Sequence, residues 1–421
     1  MNKKKTFSII SLGCFRNTYD SENIIKSFHN QGYSYIPYET LNPNKKSCSL
    51  LAINTCGFID DAKKESLAVI RGAIELKQKK QIEKIVVFGC LSERYKAKLI
   101  SSFPQVDQWQ GVQDLSPDFS KDTNLTPANV AFLKIGEGCF NKCSFCAIPL
   151  IKGKLKSRSA DSILKEVRFL NNKGIKELNI IGQDITSWGK DFHKAENLTT
   201  LIKAILKESK NIPWLRLIYS YPDYFSDELI EIIADNKRIC SYIDLPIQHI
   251  NDRILKLMNR GFSGKKLTAL ITKIRKRIPK VVIRTSIIVG FPSETEKEFN
   301  QLASFLKDTA FERLGVFTYS REEQTKAYDY KDQVHPKTKQ RRQRILMEAQ
   351  QKITSDFNSQ FIGKELDVLI EEKEDSTFIG RSQYDAPEVD GFVFLKSKGA
   401  KIGEIKKTKI IGSLGYDLIA Q

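Results

Sequence analysis

Residues 132–146 read FLKIGEGCFNKCSFC: a short apolar run, a glycine-flanked turn, then Cys139, Cys143 and Cys146 in a CxxxCxxC spacing. Three thiolates on one short loop converge on a metal site without help from distant parts of the chain. A structural zinc site is closed by four ligands, and no histidine or fourth cysteine lies nearby. Three cysteines suit a [4Fe–4S] cluster with one iron left unligated by protein, where a small molecule can bind; a fourth would close it. Three buried thiols holding no metal are the plainer alternative at this spacing.

Outward from that loop, strand and helix patterns alternate. Strands are expected at Phe132–Ile135, Leu178–Ile181, Leu215–Tyr219, Tyr242–Leu245, Val281–Val289 and Leu314–Thr318, with helical stretches between them. Six repeats predict a barrel or partial barrel over residues 125–357, with its site at the C-terminal ends of the strands. Lys337–Ser359 reads as a long basic helix leading out of it.

Residues 5–120 predict a separate α/β domain. Phe7–Leu12, Leu50–Ile53 and Ile85–Phe88 read as buried strands, and Ser21–Gln31 and Ala62–Lys77 as amphipathic helices, which together imply a parallel sheet. Leu115–Asn129 is polar, holds two prolines and reads as a linker. In residues 360–421 the runs Leu366–Ile370, Phe378–Ser382, Gly391–Leu395 and Lys409–Ile411 predict a small β-barrel.

Eight cysteines among 421 residues are too sparse for a disulfide scaffold, and their grouping points to metal. No run of about eighteen apolar residues is present, so no membrane span is expected. Lys3, Lys4 and Lys5 before Phe7–Leu12 and Gly13-Cys14 have the outline of a lipoprotein signal, but the apolar stretch is at the short limit of roughly seven residues. A first buried strand of a cytoplasmic protein is the preferred reading. The net charge of +18 suggests a nucleic-acid assembly as partner. From Phe361 to Gln421, however, nine basic residues face eleven acidic ones, so the net +20 lies in the preceding part.

Cys14, Cys56 and Cys90 each fall just beyond an apolar strand, in SLGC, NTCG and FGC. The C-terminal ends of parallel strands share one edge, so these cysteines are expected to approach one another and hold a second cluster. Taken singly, each reads as a buried small residue rather than a ligand. Cys48 and Cys240 lack that context and read as ordinary thiols.

The CxxxCxxC loop, with Phe145 before its third cysteine, resembles the radical S-adenosylmethionine superfamily. That resemblance implies a cluster on Cys139, Cys143 and Cys146 as the catalytic center. Its open iron holds the amino and carboxylate groups of S-adenosylmethionine, and one electron cleaves the sulfonium to a 5′-deoxyadenosyl radical. It also implies that the turn Ile180–Asp184, with Gly182 and Gln183, holds the cofactor amino group, that the segment Ile288–Pro292, with Gly290, packs against adenine, and that Phe145 belongs to the cofactor-binding loop. Ser293 stands where relatives have glycine, which puts the local turn in doubt. SLGCFRNTYDSE (Ser11–Glu22) and NTCGFIDDAKKES (Asn54–Ser66) are similar to the methylthiotransferases, a branch of that superfamily. Phe15-Arg16 replaces the more usual Pro-Lys. The branch implies an auxiliary [4Fe–4S] cluster on Cys14, Cys56 and Cys90, a radical core, and a terminal TRAM barrel.

One group of methylthiotransferases modifies an adenosine of transfer RNA; another modifies the β-carbon of an aspartate in ribosomal small-subunit protein twelve. The SLGC start, Cys56-Gly57-Phe58-Ile59 and GRSQYDAPEVDGF (Gly380–Phe392) lean to the protein substrate. Asp385, Glu388 and Asp390 are expected to make the terminal barrel acidic, suiting a basic protein rather than phosphates. A flavodoxin or ferredoxin as electron donor and a monomeric state complete the expectation. A cluster-bearing ribosome-binding module without turnover is the alternative of another class. His249, after a strand, is read as a structural histidine.

Overall fold

Leu50–Ile53 and Ile85–Phe88 are unbroken apolar runs, the pattern of strands covered on both faces. In the computed structural model, which describes residues 5–41, 48–112, 125–127, 129–193, 196–397 and 399–421, they are the centers of the strands Cys48–Thr55 and Ile82–Gly89. Successive side chains point to opposite faces. Leu51, Ile53, Ile85 and Val87 therefore pack under the helices Asp60–Gln78 and Cys90–Ser102, whereas Leu50, Ala52, Val86 and Phe88 join Phe7, Ile9, Ile24 and Ile25 under the helix Phe15–Asn30.

The five strands of this sheet pair in parallel, in the order Ser34–Tyr35, Thr6–Ser11, Cys48–Thr55, Ile82–Gly89, Gln108–Trp109. The helices after the neighboring strands Thr6–Ser11 and Cys48–Thr55 cover opposite faces, so a switch point opens between them, where open α/β sheets bind ligands. The sheet belongs to a unit made of the described residues up to Thr126 together with Ala147–Lys154. Its first helix begins at Phe15, earlier than the expected Ser21, because its opening turns are polar yet buried. Asn54 Nδ2 donates to Asn17 O at 2.8 Å, and Ser21 Oγ donates to Ser11 Oγ at 2.9 Å. Most of the expected linker Leu115–Asn129 lies outside the described residues.

The second unit comprises Pro127–Cys146 and Leu155–Gln421. Six parallel strands stand side by side in chain order: Val130–Lys134, Glu177–Ile181, Trp214–Leu217, Ile239–Asp244, Val282–Val289 and Arg313–Thr318. Helices return between them, each started by a side chain that holds an otherwise orphaned amide: Ser159, Asn197, Ser226, Ser263 and Thr295. One face of the sheet is aliphatic (Leu178, Ile180, Leu215, Leu217, Ile243, Ile283, Ile287) and lies under those helices. The alternate residues, Glu177, Asn179, Arg216, Tyr242, Asp244 and Arg284, give the other face a polar character unusual for a core.

The helix Pro336–Ser359 leads to a closed five-stranded barrel, Glu365–Glu374, Thr377–Ser382, Val393–Leu395, Ile405–Leu414 and Asp417–Ala420. Its charges sit against the polar face of the sheet. Arg381 contacts Glu177 Oε2 and Glu371, and Arg216 Nε donates to Glu177 Oε1 at 2.7 Å, all of these side chains nearly or fully buried. Arg313 pairs with Asp385 at 2.5 Å, and Asp390 accepts from Tyr242 Oη at 2.6 Å with Arg284 3.5 Å away. The acidic stretch read from sequence as a free docking surface is thus corrected. Asp385 is 2% exposed and the Asp390 side chain 3%, both committed to arginines of the same unit, leaving Glu388 exposed. Breaking one partner of such a buried pair costs roughly 3–5 kcal/mol.

Candidate functional site: two cysteine triplets

The loop Gly138–Cys146 is held from several sides by segments at the C-terminal ends of the six-stranded sheet. Gly138, at φ 72°, turns the chain into it. Ser144 donates through Oγ to Leu257 O at 2.7 Å and through N to Met258 O at 3.0 Å, and its carbonyl accepts from Ala327 N at 2.8 Å. Asn259 Nδ2 reaches Lys142 O at 2.6 Å. Asn141 Nδ2 donates to Asp184 Oδ2 at 2.8 Å and approaches Cys139 Sγ at 3.8 Å. Arg260 lies over the Tyr221 ring at 4.1 Å and donates to Cys143 Sγ at 3.3 Å and Pro246 O at 2.7 Å, while its Nε finds no partner. Burial, with Asp184 and Cys143 adding to it, pushes the Cys139 thiol up.

Phe145 meets Phe291 edge to face, with ring centroids 6.4 Å apart, so the aromatic of the cysteine loop and the Gly290 segment come together. Gly290, at φ 69°, leaves no room for a side chain: a Cβ there would lie 2.3 Å from Lys339 Cγ. Its amide and that of Phe291 both donate to Glu294 Oε2. Ser293 adopts φ 63°, the conformation a glycine would take, so the turn is kept and the serine bears its strain. Gln183 Nε2 donates to Glu137 Oε1 at 2.6 Å, and its buried Oε1 has no partner. A Cβ on Gly182 would meet nothing closer than 3.5 Å, so protein packing does not demand that glycine. His249 is fully buried; Nδ1 accepts from Asn251 N at 2.9 Å and Nε2 is unpaired, 3.9 Å from Glu294 Oε1. Through Nδ1 it holds the turn at Asn251.

In the first unit, Cys14, Cys56 and Cys90 follow the ends of three adjacent strands, as parallel order requires. Cys14 caps the helix Phe15–Asn30 and Cys90 opens the helix Cys90–Ser102, placing both at N-termini whose amides favor a thiolate. A Cβ on Gly13 would fall 3.0 Å from Cys56 Cβ and 3.2 Å from its Sγ. Gly89, at φ 97° and ψ −162°, would collide with Asn54 Oδ1 at 2.3 Å and Thr55 O at 2.7 Å. Asn17 Nδ2 donates to Leu12 O at 2.6 Å, its Oδ1 lies 3.9 Å from Cys90 Sγ, and Ser66 Oγ clasps the Cys56 backbone at 2.9 and 3.0 Å.

Burial opposes the Cys14 thiolate, but Arg16, whose Nε is 3.3 Å from Sγ, outweighs it and draws the thiol below its ordinary value. Burial raises Cys56, and it pushes Cys90 up to about 12 against the field of Lys152. Cys48 and Cys240, each raised to about 11 by burial, are interior thiols as read. Among the described residues no three His, Cys, Asp or Glu side chains close to the spacing of a single ion. A cuboidal cluster, with separate irons under its thiolates, spreads its ligands wider. The thiol chemistry, the glycine-lined cradles and the donors aimed at sulfur fit such a group at both triplets.

The sequence pointed to all six of these cysteines but not to Asn17, Asn141, Lys152 or Arg260. Each acts through a tertiary contact, and the one hint is a basic residue closing the apolar run AIPLIK.

The fold, with a three-cysteine loop at the sheet's C-terminal edge, defines a radical S-adenosylmethionine protein. The Radical SAM superfamily model matches residues 133–306, Uncharacterized protein family UPF0004 residues 6–111, and the TRAM domain residues 362–421. In fold the chain is similar to the radical S-adenosylmethionine methyltransferase TsrM from Kitasatospora setae, with a TM-score of 0.56 at 13% identity, over 75% of each chain. It is 43% identical to the ribosomal protein uS12 methylthiotransferase RimO of Caldanaerobacter subterraneus subsp. tengcongensis, covering 99% of this chain and 100% of that one. To the RimO of Christiangramia forsetii it is 39% identical, over 100% of this chain and 94% of the relative. The chain belongs to the RimO family of ribosomal protein methylthiotransferases.

Proposed function

We propose that this chain adds a methylthio group to the β-carbon of an aspartate in ribosomal small-subunit protein twelve. The observation that carries the reading is the convergence of Cys14, Cys56 and Cys90 in one glycine-lined cradle, a second sulfur-rich site that a radical generator alone does not need. Kinship over the whole chain with RimO enzymes supports the protein substrate.

When loaded, a [4Fe–4S] cluster with S-adenosylmethionine on Cys139, Cys143 and Cys146 supplies a carbon-centered hydrogen abstractor, and an auxiliary cluster on Cys14, Cys56 and Cys90 supplies the sulfur. The chain's own residues do the positioning. Asn141 and Arg260 direct N–H groups at the core thiolates, which disperses their charge. Gln183 presents its unpaired carbonyl oxygen to the cofactor's amino group beside Gly182. Gly290, Phe291 and Phe145 form a dry wall for adenine, held by Glu294. Arg284 and Asp244 lie on the polar inner face of the sheet, where burial raises the Asp244 carboxyl. A β-carbon hydrogen is beyond ordinary side-chain bases, so these groups orient and exclude water rather than abstract a proton.

The protein is read as a cytoplasmic monomer reduced by a flavodoxin or ferredoxin; no described helix is long and apolar enough to cross a membrane. Anaerobic reconstitution with iron, sulfide, S-adenosylmethionine and dithionite tests the function. A methylthio mass gain on the ribosomal protein is expected. A gain on transfer RNA alone shifts the substrate to adenosine, and no 5′-deoxyadenosine from a fully loaded protein leaves a non-catalytic module.

A further inference from the structure

Cys146 is followed at once by Ala147, and the stretch Ala147–Lys154 is built into the first unit. There Ala147 and Ile151 share an apolar cluster with Cys90, with Val112 packed against it. The short helix Ile148–Lys152 ends in a lysine that is almost wholly interior. Its side chain is 3% exposed, and Nζ lies 3.2 Å from Asp20 Oδ2, on the helix that begins just after Cys14. Lys152 directly follows Ile151, which packs in the cluster of Cys90. Three thiolates on a cuboidal cluster make a net anionic assembly, and reduction makes it more so. A fixed cation in a dry pocket weighs heavily on both its affinity and its potential.

We propose that Lys152 is a charge-compensating positioning residue of the Cys14–Cys56–Cys90 cluster site, delivered there by the same loop that carries Cys139, Cys143 and Cys146. This rests on the reading of that triplet as a cluster site. Asp20 orients the ammonium, and the packing of Ala147 and Ile151 holds the segment against Cys90. The auxiliary site is then complete only when the chain leaving the core loop has docked into the first unit.

The test uses the full chain carrying Cys139→Ala, Cys143→Ala and Cys146→Ala, so that any cluster signal comes from the auxiliary site. Iron and sulfide are titrated in anaerobically, and the midpoint potential is followed by EPR. Lys152→Met is expected to weaken loading about 10–100-fold and to move the midpoint negative, whereas Lys152→Arg stays near the parent. Asp20→Asn, which removes a negative charge, moves it positive. Equal loading and midpoint in Lys152→Met overturn the proposal. So do a Lys152→Arg as defective as Lys152→Met, or midpoint shifts of the same sign in Lys152→Met and Asp20→Asn. If Lys152→Met does not fold, Asp20→Asn decides alone: a positive shift supports the proposal and an unchanged midpoint overturns it. A parent that takes up no cluster removes the second-cluster reading and this proposal with it.

Discussion

The two cysteine triplets are assembled by opposite routes. Cys139, Cys143 and Cys146 lie on one loop, so their proximity is a property of eight consecutive residues, and the fold only has to anchor the loop through Ser144, Asn259 and Arg260. Cys14, Cys56 and Cys90 are brought together by a parallel sheet and depend on its register, on glycines that let the backbones close, and on Asn17 and Asn54 bridging the strand ends. A local site tolerates distant damage; a site assembled from three strand ends does not. The second triplet is also the more finely balanced electrostatically, with Arg16 drawing one thiol down while burial pushes another up to about 12.

Removing each triplet tests that contrast most severely. With Cys14, Cys56 and Cys90 changed to Ala, iron falls from about eight to about four per chain; reductive cleavage of S-adenosylmethionine persists and methylthiolation is lost. With Cys139, Cys143 and Cys146 changed instead, cleavage itself disappears. Equal loss of cleavage in both sets would erase the distinction. Arg260→Met comes next: 5′-deoxyadenosine formation slows about 10–100-fold, while iron at the auxiliary site, counted in a background lacking it at the core, does not change.

Gly89→Ala asks whether the assembled site is the fragile one. Its φ 97°, ψ −162° conformation is nearly exclusive to glycine, so the change destabilizes the first unit by about 1–3 kcal/mol in a denaturant titration and lowers auxiliary iron. Gly182→Ala, where a Cβ has room, leaves stability unaltered and raises the KM for S-adenosylmethionine if the cofactor comes close. The smallest effect belongs to Ser293→Gly. Relief of its left-handed backbone, offset by loss of the 3.0 Å bond from Arg253 to its hydroxyl, stabilizes by at most about 1 kcal/mol, read as a shift in denaturation midpoint.

The same difference explains what was readable in the sequence. The core loop is legible because spacing alone carries it. The auxiliary triplet became legible only once strand ends were assigned, since nothing but parallel order links residues this far apart in the chain. The start of the first helix is hidden because Asn17 and Asp20 are polar but buried, which breaks the apolar stripe that announces a helix. The terminal acids misled because a charge count cannot see that Asp385 and Asp390 already face Arg313 and Arg284. Lys152 and Arg260 were silent for the same reason: each is one more cation until the fold shows what it faces.

The buried ion pairs beneath the six-stranded sheet carry one more consequence. Glu177 and Arg313 begin strands of that sheet, and their counter-charges, Arg381 and Asp385, come from the final barrel and the loop that follows its second strand. Proteolytic clipping near residue 360 would therefore do more than remove the final barrel. It would leave Arg313 without Asp385 and Glu177 with Arg216 alone, open the polar face of the sheet to solvent, and loosen its strands. Trimmed protein should lose activity even toward a short free peptide substrate.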